Sequence, residues 1–387
     1  MPRSFTWSQV WGRRLARHHL LEPAPATAIA DVVGDVCGIH AQVLTAGELS
    51  LGLRVKGATR ETVQAELWER RNLVKTHGPR TTIHVLPATE APMWLAAVRA
   101  AGDHRRDQDW LREMGLDEPR RTAIYEAFVD ALDGRRLTLD QLGAEVERRL
   151  GSWVAEHASA AFGGSWSRWR VCLGGAAVEG LICFGPNEAR KVTFVRPEQW
   201  LTAWPSPPSE DAALREVFKR FVRAYGPSKP AEFARWFAIL PGRATALAHD
   251  LRSELEEVDV EGERRIVLAG DSTPANERRA SVHLLPHFDC YMVGCHPRTE
   301  LFPAAWRERG IPIGGGGNIP AVIVDGRVAG IWEMRRQGGR AVVVVDCFEE
   351  LDRQRKRQLD EAIDTIFRIA QVEGTRTFGA VTPRPHA

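Results

Sequence analysis

Hydrophobic and polar residues alternate along the first 70 positions with the period of an α-helix. Apolar side chains recur at helical spacing in residues 6–20 and 27–40, and the second run ends in the segment His40-Ala41-Gln42. Two further runs, TAGELSLGLRV and RETVQAELWERRN, continue the pattern. We therefore predict four helices here, the second of which reaches His40.

The pattern changes to that of a β-hairpin after these helices. Residues 73–77 and 81–86 favour strands, and Gly78-Pro79 separates them as a turn. Helices followed by a hairpin are typical of a winged helix. We therefore predict a winged-helix unit in this region.

Similar patterns recur twice further along the chain. Thr138 precedes an amphipathic run at residues 137–150 and is predicted to be its N-cap. The pattern of residues 216–239 predicts a helix, a Tyr-Gly-Pro turn and a second helix. Two β-prone runs follow, on either side of Glu261-Gly262. The sequence thus contains three candidate helix-turn-helix units.

The last third of the chain favours short strands. A segment rich in Pro and Ser, residues 201–211, predicts a boundary near residue 205. Strand patterns start near residue 281, Asp325-Gly326 has the composition of a two-residue hairpin turn, and an amphipathic helix follows. The predicted fold class is mainly α with β (α+β), with tandem winged-helix units followed by a C-terminal antiparallel β domain. Its predicted segments are residues 1–90, 91–205, 206–275 and 276–387.

Composition narrows the class of protein. The 387 residues have a net charge of +2 and 44% hydrophobic residues, the range of ordinary globular proteins. The sequence has no apolar run long enough to cross a membrane, and its six cysteines lack the CxxC spacing of a zinc site. We expect a cytoplasmic protein with reduced thiols and no membrane partner.

Two segments suggest bound groups but favour simpler interpretations. Five potential metal ligands lie within residues 283–296, yet Pro286 interrupts any helix there and the spacing does not surround one tetrahedral metal. The Gly-rich segment 310–320 lacks the GK[ST] ending of a P-loop and leads into a strand. We therefore predict no metal and no cofactor.

The polar pair His40 and Gln42 has both a structural and a chemical interpretation. Near a helix end, these side chains would cap carbonyl groups and interact favourably with the helix dipole. The chemical alternative is the handling of a water molecule. The nucleophile elbow of a serine hydrolase, G-x-S-x-G, does not occur in the sequence.

Five segments in series carry a resemblance to a known family: GIHAQ, GPRTTIHVLPATE, YGPSKPAEFARWF, LLPHFDCYMVGCHPR and PAVIVDGRVAGIW. In this order they resemble the AlkZ-type winged-helix DNA glycosylases, and they extend over most of the chain. The family motif is typically Gln-Φ-Gln or Gln-Φ-Asp, and it falls on His40-Ala41-Gln42. The chain therefore looks like the His-Φ-Gln variant, which is associated with bulky natural-product adducts.

The resemblance implies removal of alkylated bases from double-stranded DNA, either in general repair or in self-resistance of a producer of DNA-alkylating compounds. It implies catalytic roles for His40 and Gln42. Arg80, Thr82 and His84 match the family's Arg-x-Thr-x-His motif, and with Lys75 they would contact DNA from the hairpin. For His84 a scaffold role is the alternative, because Ile83 and Val85 alternate with it and one face of the strand packs inward. Asp289 and Arg298 also match a family motif, either as DNA contacts or as an ion pair.

The chemistry can be argued from the residues themselves. A purine alkylated at N7 or N3 is cationic, so its glycosidic bond is weak, and the enzyme needs chiefly to place a water on the sugar. The Gln42 amide does not titrate and can only orient that water. An imidazole titrates near pH 6.5, so His40 either accepts a proton or contacts the adduct.

Two functions remain open at this point. The first is a monomeric, monofunctional glycosylase; lyase chemistry needs an amine near the sugar, and the chain has only six lysines. The alternative is a non-catalytic winged-helix DNA-binding regulator. A glycosylase should prefer a lesion in any sequence, whereas a regulator should prefer one sequence.

Overall fold

The computed structural model describes residues 3–102, 104–161, 164–271, 280–311, 317–337 and 340–382. Most of the Gly-rich segment considered as a phosphate cradle, residues 312–316, lies outside them. The chain divides into two compact units: Met1–Gln64 with Val217–Trp236 and Leu240–Ala387, and Ala65–Glu216 with Phe237–Ile239. No helix among the described residues is long and apolar enough to span a membrane.

Helices and strands alternate throughout both units. The helices are α1 Trp7–Arg17, α2 Ile29–Asp35, α3 Leu44–Gly52, α4 Arg60–Trp68, α5 Ala91–Ala101, α6 His104–Glu113, α7 Glu118–Ala131, α8 Leu139–Leu150, α9 Arg168–Val171, α10 Leu173–Val178, α11 Pro197–Trp200, α12 Glu210–Tyr225, α13 Pro230–Phe237, α14 Pro241–Asp250, α15 Cys290–Gly294, α16 Arg298–Leu301, α17 Ala304–Glu308 and α18 Arg353–Ala370. The strands are β1 Arg3–Phe5, β2 Ile39–His40, β3 Leu73–His77, β4 Ile83–Pro87, β5 Leu137–Thr138, β6 His157–Ala161, β7 Gly164–Ser167, β8 Cys183–Glu188, β9 Lys191–Val195, β10 Leu255–Val260, β11 Glu263–Leu268, β12 Val282–Leu285, β13 Ala321–Val324, β14 Arg327–Gln337, β15 Arg340–Cys347 and β16 Gly374–Phe378. The fold is a mixture of α and β structure, as predicted.

The four predicted N-terminal helices are confirmed as α1 to α4, but the predicted end of the second helix is wrong. Helix α2 ends at Asp35 because Cys37 and Gly38 have positive φ angles of 65° and 90°, which a right-handed helix does not accommodate. The Gly38 amide donates to the Val33 carbonyl at 2.8 Å and closes the helix end. His40 therefore lies in a short extended segment, not at the end of a helix.

Hairpins follow helices in both units, as the sequence predicts. In the second unit, β3 and β4 pair antiparallel, with Thr76 opposite His84. In the first unit, β10 and β11 form the hairpin predicted around Glu261-Gly262, and β1 adds to β10 in parallel. Thr138 caps α8 through a reciprocal capping box with Gln141, which confirms the predicted N-cap.

The C-terminal sheet has the order β12-β13-β14-β15-β16. The predicted turn between β13 and β14 is confirmed, and Asp325 and Gly326 have the positive φ angles, 51° and 87°, that a type I′ turn requires. The first four strands are antiparallel, as predicted. The fifth strand, which the sequence did not suggest, pairs in parallel with β15, since α18 connects these two strands.

Candidate active site

The motif places one shielded imidazole and one exposed amide two residues apart, within the first unit. The His40 ring is 9% exposed and stacks on the Phe288 ring, with 4.6 Å between ring centroids and 27° between their planes. Ala41 is completely buried, whereas the Gln42 side chain is exposed. The extended backbone thus fixes Ala41 in the core and leaves Gln42 facing solvent.

The backbone of the motif rests directly on α3. A Cβ atom added to Gly47 would lie 3.0 Å from the His40 carbonyl oxygen, tighter than nearly all real contacts of this kind. A larger residue at position 47 would therefore push the motif away from the helix. Glycine at this position allows the close approach that sets the depth of His40.

The stacking partner of His40 is held by a buried ion pair. Phe288 adopts a left-handed conformation with φ of 57°, and Asp289 follows it. The Asp289 carboxylate accepts two hydrogen bonds from the Arg54 guanidinium, at 2.7 and 2.8 Å, and both side chains are fully buried. The same carboxylate accepts from the Ser50 hydroxyl at 2.7 Å and caps α15 at the Tyr291 amide, at 2.9 Å. This network ties α3 to the segment that carries Phe288.

The Arg54 guanidinium remains protonated despite its burial. Burial by itself lowers the pKa of Arg54, but the neighbouring Asp289 carboxylate outweighs it and raises that pKa above its ordinary value. Asp289 therefore forms its ion pair with Arg54. Arg298, which we considered as its partner from the sequence, is half-buried and donates hydrogen bonds to the carbonyls of Met292 and Val293 at the end of α15.

A cavity of about 310 Å³ begins next to the motif, within the same unit. Val43 and Thr45, which follow Gln42 in the chain, form part of its wall. Trp332 and Met334 line it from β14; Trp332 is buried and donates to the Leu285 carbonyl at 2.9 Å, while Met334 is 40% exposed. The wall is largely apolar, and its volume is at the lower end for sites that bind small molecules.

The predicted DNA-binding residues of the hairpin belong to the second unit, and two of them are buried. Lys75 is 8% exposed and its ammonium group lies 4.7 Å from the centre of the Phe184 ring. His84 is 4% exposed and its Nδ1 donates to the Thr82 carbonyl at 2.9 Å.

The other two hairpin residues lie at the turn. The Thr82 hydroxyl donates to the Pro79 carbonyl at 3.0 Å, so it shapes the loop. Arg80 is half-buried, with a left-handed backbone at φ of 59°. These positions favour a scaffold role for Lys75, Thr82 and His84, and leave Arg80 as the more accessible cation of the hairpin.

Sequence reasoning missed the residues that support the motif. Phe288, Arg54 and Ser50 act through contacts with residues more than 200 positions away, which no local pattern reveals. The segment containing Phe288 and Asp289 was singled out as a candidate metal site and by its resemblance to a family, and neither signal indicates the contact with His40.

The chain is similar to known proteins over nearly its whole length. The family model described as DNA glycosylase AlkZ-like matches residues 33–368. The chain is 30% identical over 375 residues to an interstrand DNA cross-link repair glycosylase of Streptomyces sahachiroi, covering 95% of this chain and 97% of that protein. It is also similar to the solved structure of S. sahachiroi DNA glycosylase AlkZ, with a TM-score of 0.79 and 28% identity, over 97% of this chain and 100% of the other. The chain belongs to the AlkZ-like DNA glycosylase family, whose members are hydrolases acting on N-glycosyl bonds.

Proposed function

We propose that this glycosylase is monofunctional, that it hydrolyses the N-glycosidic bond of alkylated purines in double-stranded DNA, and that its main substrates are bulky guanine adducts of natural products. The observation that carries the proposal is the pairing of a shielded imidazole, His40, with an exposed amide, Gln42, beside a largely apolar cavity.

The leaving group determines what the protein must supply. Alkylation at N7 or N3 makes the purine cationic, so the departing base accepts the bond electrons without prior protonation. The sugar then develops oxocarbenium character, and the remaining requirement is a water held on its open face. A neutral hydrogen-bonding pair suffices for this task.

Gln42 and His40 divide that task. The Gln42 amide oxygen accepts a hydrogen bond from the water and orients it, because a carboxamide neither gains nor loses a proton in this pH range. The neutral imidazole of His40 accepts a proton from the same water as it attacks. Stacking on Phe288 supports this role, since it restricts rotation of the ring.

The cavity supports a substrate larger than a methylated base. Its volume of about 310 Å³ exceeds what a methyl group requires, and its apolar wall suits the hydrocarbon part of an adduct. The named relative acts in interstrand cross-link repair. Where a cross-link joins two purines through alkylated nitrogens, the same hydrolysis at either base would release it; we include such lesions in the proposed substrate class.

We propose that the enzyme acts as a monomer, and that Arg80 and Arg298 are its contacts with the DNA backbone. Asp289 is proposed as a positioning residue through Arg54 and Phe288. The non-catalytic regulator is not favoured, because both the family and the named relatives are glycosylases.

Base release from two lesions tests the substrate class. Duplexes carrying either N7-methylguanine or a bulky N7-guanine adduct are incubated with enzyme, and abasic sites are scored by alkaline cleavage. Faster release of the bulky adduct is expected. Release of N7-methylguanine alone would restrict the function to small alkylpurines, and binding without release of either base would favour the regulator.

A further inference from the structure

The second unit contains a cavity of about 350 Å³. None of the residues that line it belongs to the His40-Ala41-Gln42 motif. Its wall combines apolar side chains from α5, α6 and α10 with the polar or aromatic side chains His77, Trp110, Arg121 and Tyr125. A concave, partly apolar site with a few convergent polar groups is the usual form of a small-ligand site.

Arg121 is one of two arginines in the wall of this cavity. The guanidinium is half-buried, and its Nε has no hydrogen-bond partner among the described residues. Arg99, the other arginine, pairs with Glu210 at 3.2 Å and lies 3.9 Å from Glu179, a carboxylate that also lines the cavity. An anionic ligand at Arg121 would supply the hydrogen-bond acceptor that its Nε lacks among the described residues.

Two further polar groups of the cavity are uncharged. Burial lowers the pKa of His77 to about 4 and raises that of Tyr125 to about 12, so both are neutral near pH 7. The buried Nδ1 of His77 has no hydrogen-bond partner in the described part of the chain. These groups suit a neutral heteroaromatic ring that both donates and accepts hydrogen bonds.

The wall also provides an aromatic surface that solvent reaches. Trp110 is 42% exposed, an unusual position for a side chain of this size. Elsewhere in the wall the packing is close: a Cβ atom on Gly175 would lie only 2.1 Å from the Tyr125 hydroxyl oxygen. An accessible tryptophan beside a cation is the combination on which single bases of nucleic acids stack.

We propose that this cavity is a second binding site, which holds one nucleotide with its phosphate at Arg121 and its base against Trp110. The nucleotide is either a free monophosphate or one unit of a single strand, since both present the same phosphate and ring. The proposal goes beyond the hydrolysis of the glycosidic bond and does not rest on it.

Binding measurements on the full chain test the site. The probes are deoxyguanosine 5′-monophosphate, followed by calorimetry, and a fluorescein-labelled single strand of about six nucleotides, followed by anisotropy. Arg121→Gln should weaken binding about tenfold or more, Trp110→Ala about fivefold or more, and Arg121→Lys should restore part of the loss. Both positions are partly exposed, so folding should be preserved.

Arg120→Gln is the matched control. Arg120 neighbours Arg121 on α7, is exposed, and donates to the Gly115 carbonyl at 2.9 Å instead of lining the cavity. Losses confined to Arg121→Gln and Trp110→Ala support the site: loss with the monophosphate identifies a free nucleotide, and loss with the oligonucleotide alone identifies a strand. Unchanged binding of both probes by Arg121→Gln, or an equal loss in Arg120→Gln, would overturn the proposal.

Discussion

The imidazole of His40 stacks on the ring of Phe288 at a centroid distance of 4.6 Å. These residues are 248 positions apart in the sequence, and the buried pair Arg54–Asp289 holds the second of them in place. The contact therefore links the catalytic motif of the proposal to the segment that precedes α15.

Loss of the stacking contact should slow catalysis without unfolding the protein. Phe288→Leu keeps an apolar side chain but removes the flat ring surface. An aromatic pair contributes about 0.5–1.5 kcal/mol, so we expect a fall of up to about tenfold in the single-turnover rate of base release. Phe288→Tyr, which keeps the ring, should retain the rate. Equal rates in Phe288→Leu and wild type would show that the stack does not position His40.

Removal of the charge at Asp289 should destabilise the first unit. Asp289→Asn leaves the Arg54 guanidinium buried without its counter-ion, at a cost of about 3–5 kcal/mol in the free energy of unfolding. Unfolding in urea measures this loss of stability. The control is Glu350→Gln, which breaks the exposed pair with Lys356 and should leave the free energy of unfolding nearly unchanged, because solvent screens that pair. Similar losses in both variants would contradict a supporting role for the buried pair.

Stability should decrease in mild acid because several histidines are buried in the neutral form. Burial, and secondly Arg54, lower the pKa of His283 to about 4 from its ordinary 6.5. Below pH 6.5 the unfolded chain binds a proton that the folded chain does not, so stability is greatest above 6.5 and falls towards pH 4. The contribution of His283 is at most about 3 kcal/mol.

Urea midpoints measured across this pH window check that prediction. His283→Leu should reduce the dependence of the unfolding free energy on pH. Part of that dependence should remain, because burial also lowers the pKa values of His77 and His296. An identical pH dependence in His283→Leu and wild type would mean that His283 is not buried in neutral form.

The pH dependence of base release tests the role of His40. If the neutral imidazole accepts a proton from water, the rate falls in acid as the ring becomes protonated. His40→Gln converts the motif to Gln-Ala-Gln and should give a profile without that fall. If the wild-type rate of base release is the same between about pH 5.5 and about 8, His40 is not the proton acceptor. Its role would then be limited to contact with the adduct.

The sequence predicted the local structure of this protein better than its long-range contacts. Helical periodicity, the Thr138 cap and the Asp325-Gly326 turn are properties of neighbouring residues, and the structure confirms them. The end of α2 was misjudged because the left-handed conformation of Cys37 has no clear sequence signal. Strand β16 was missed because it completes a sheet through a parallel pairing after a long helix.

The candidate site could be predicted only in part for the same reason. His40 and Gln42 were found through a short motif and its resemblance to a family. The burial of Lys75 and His84 depends on tertiary packing, as does the choice of Arg54 as the partner of Asp289. No spacing within the sequence encodes those contacts.

Base release under single-turnover conditions tests the central claim most directly. A duplex with one bulky N7-alkylated guanine is incubated with wild type, His40→Ala, Gln42→Ala and the control Gln354→Ala, which removes an exposed amide from α18. We predict a loss of at least about a hundredfold in each motif variant and none in the control. Wild-type rates in both motif variants would contradict the assignment of His40 and Gln42 as the water-handling pair.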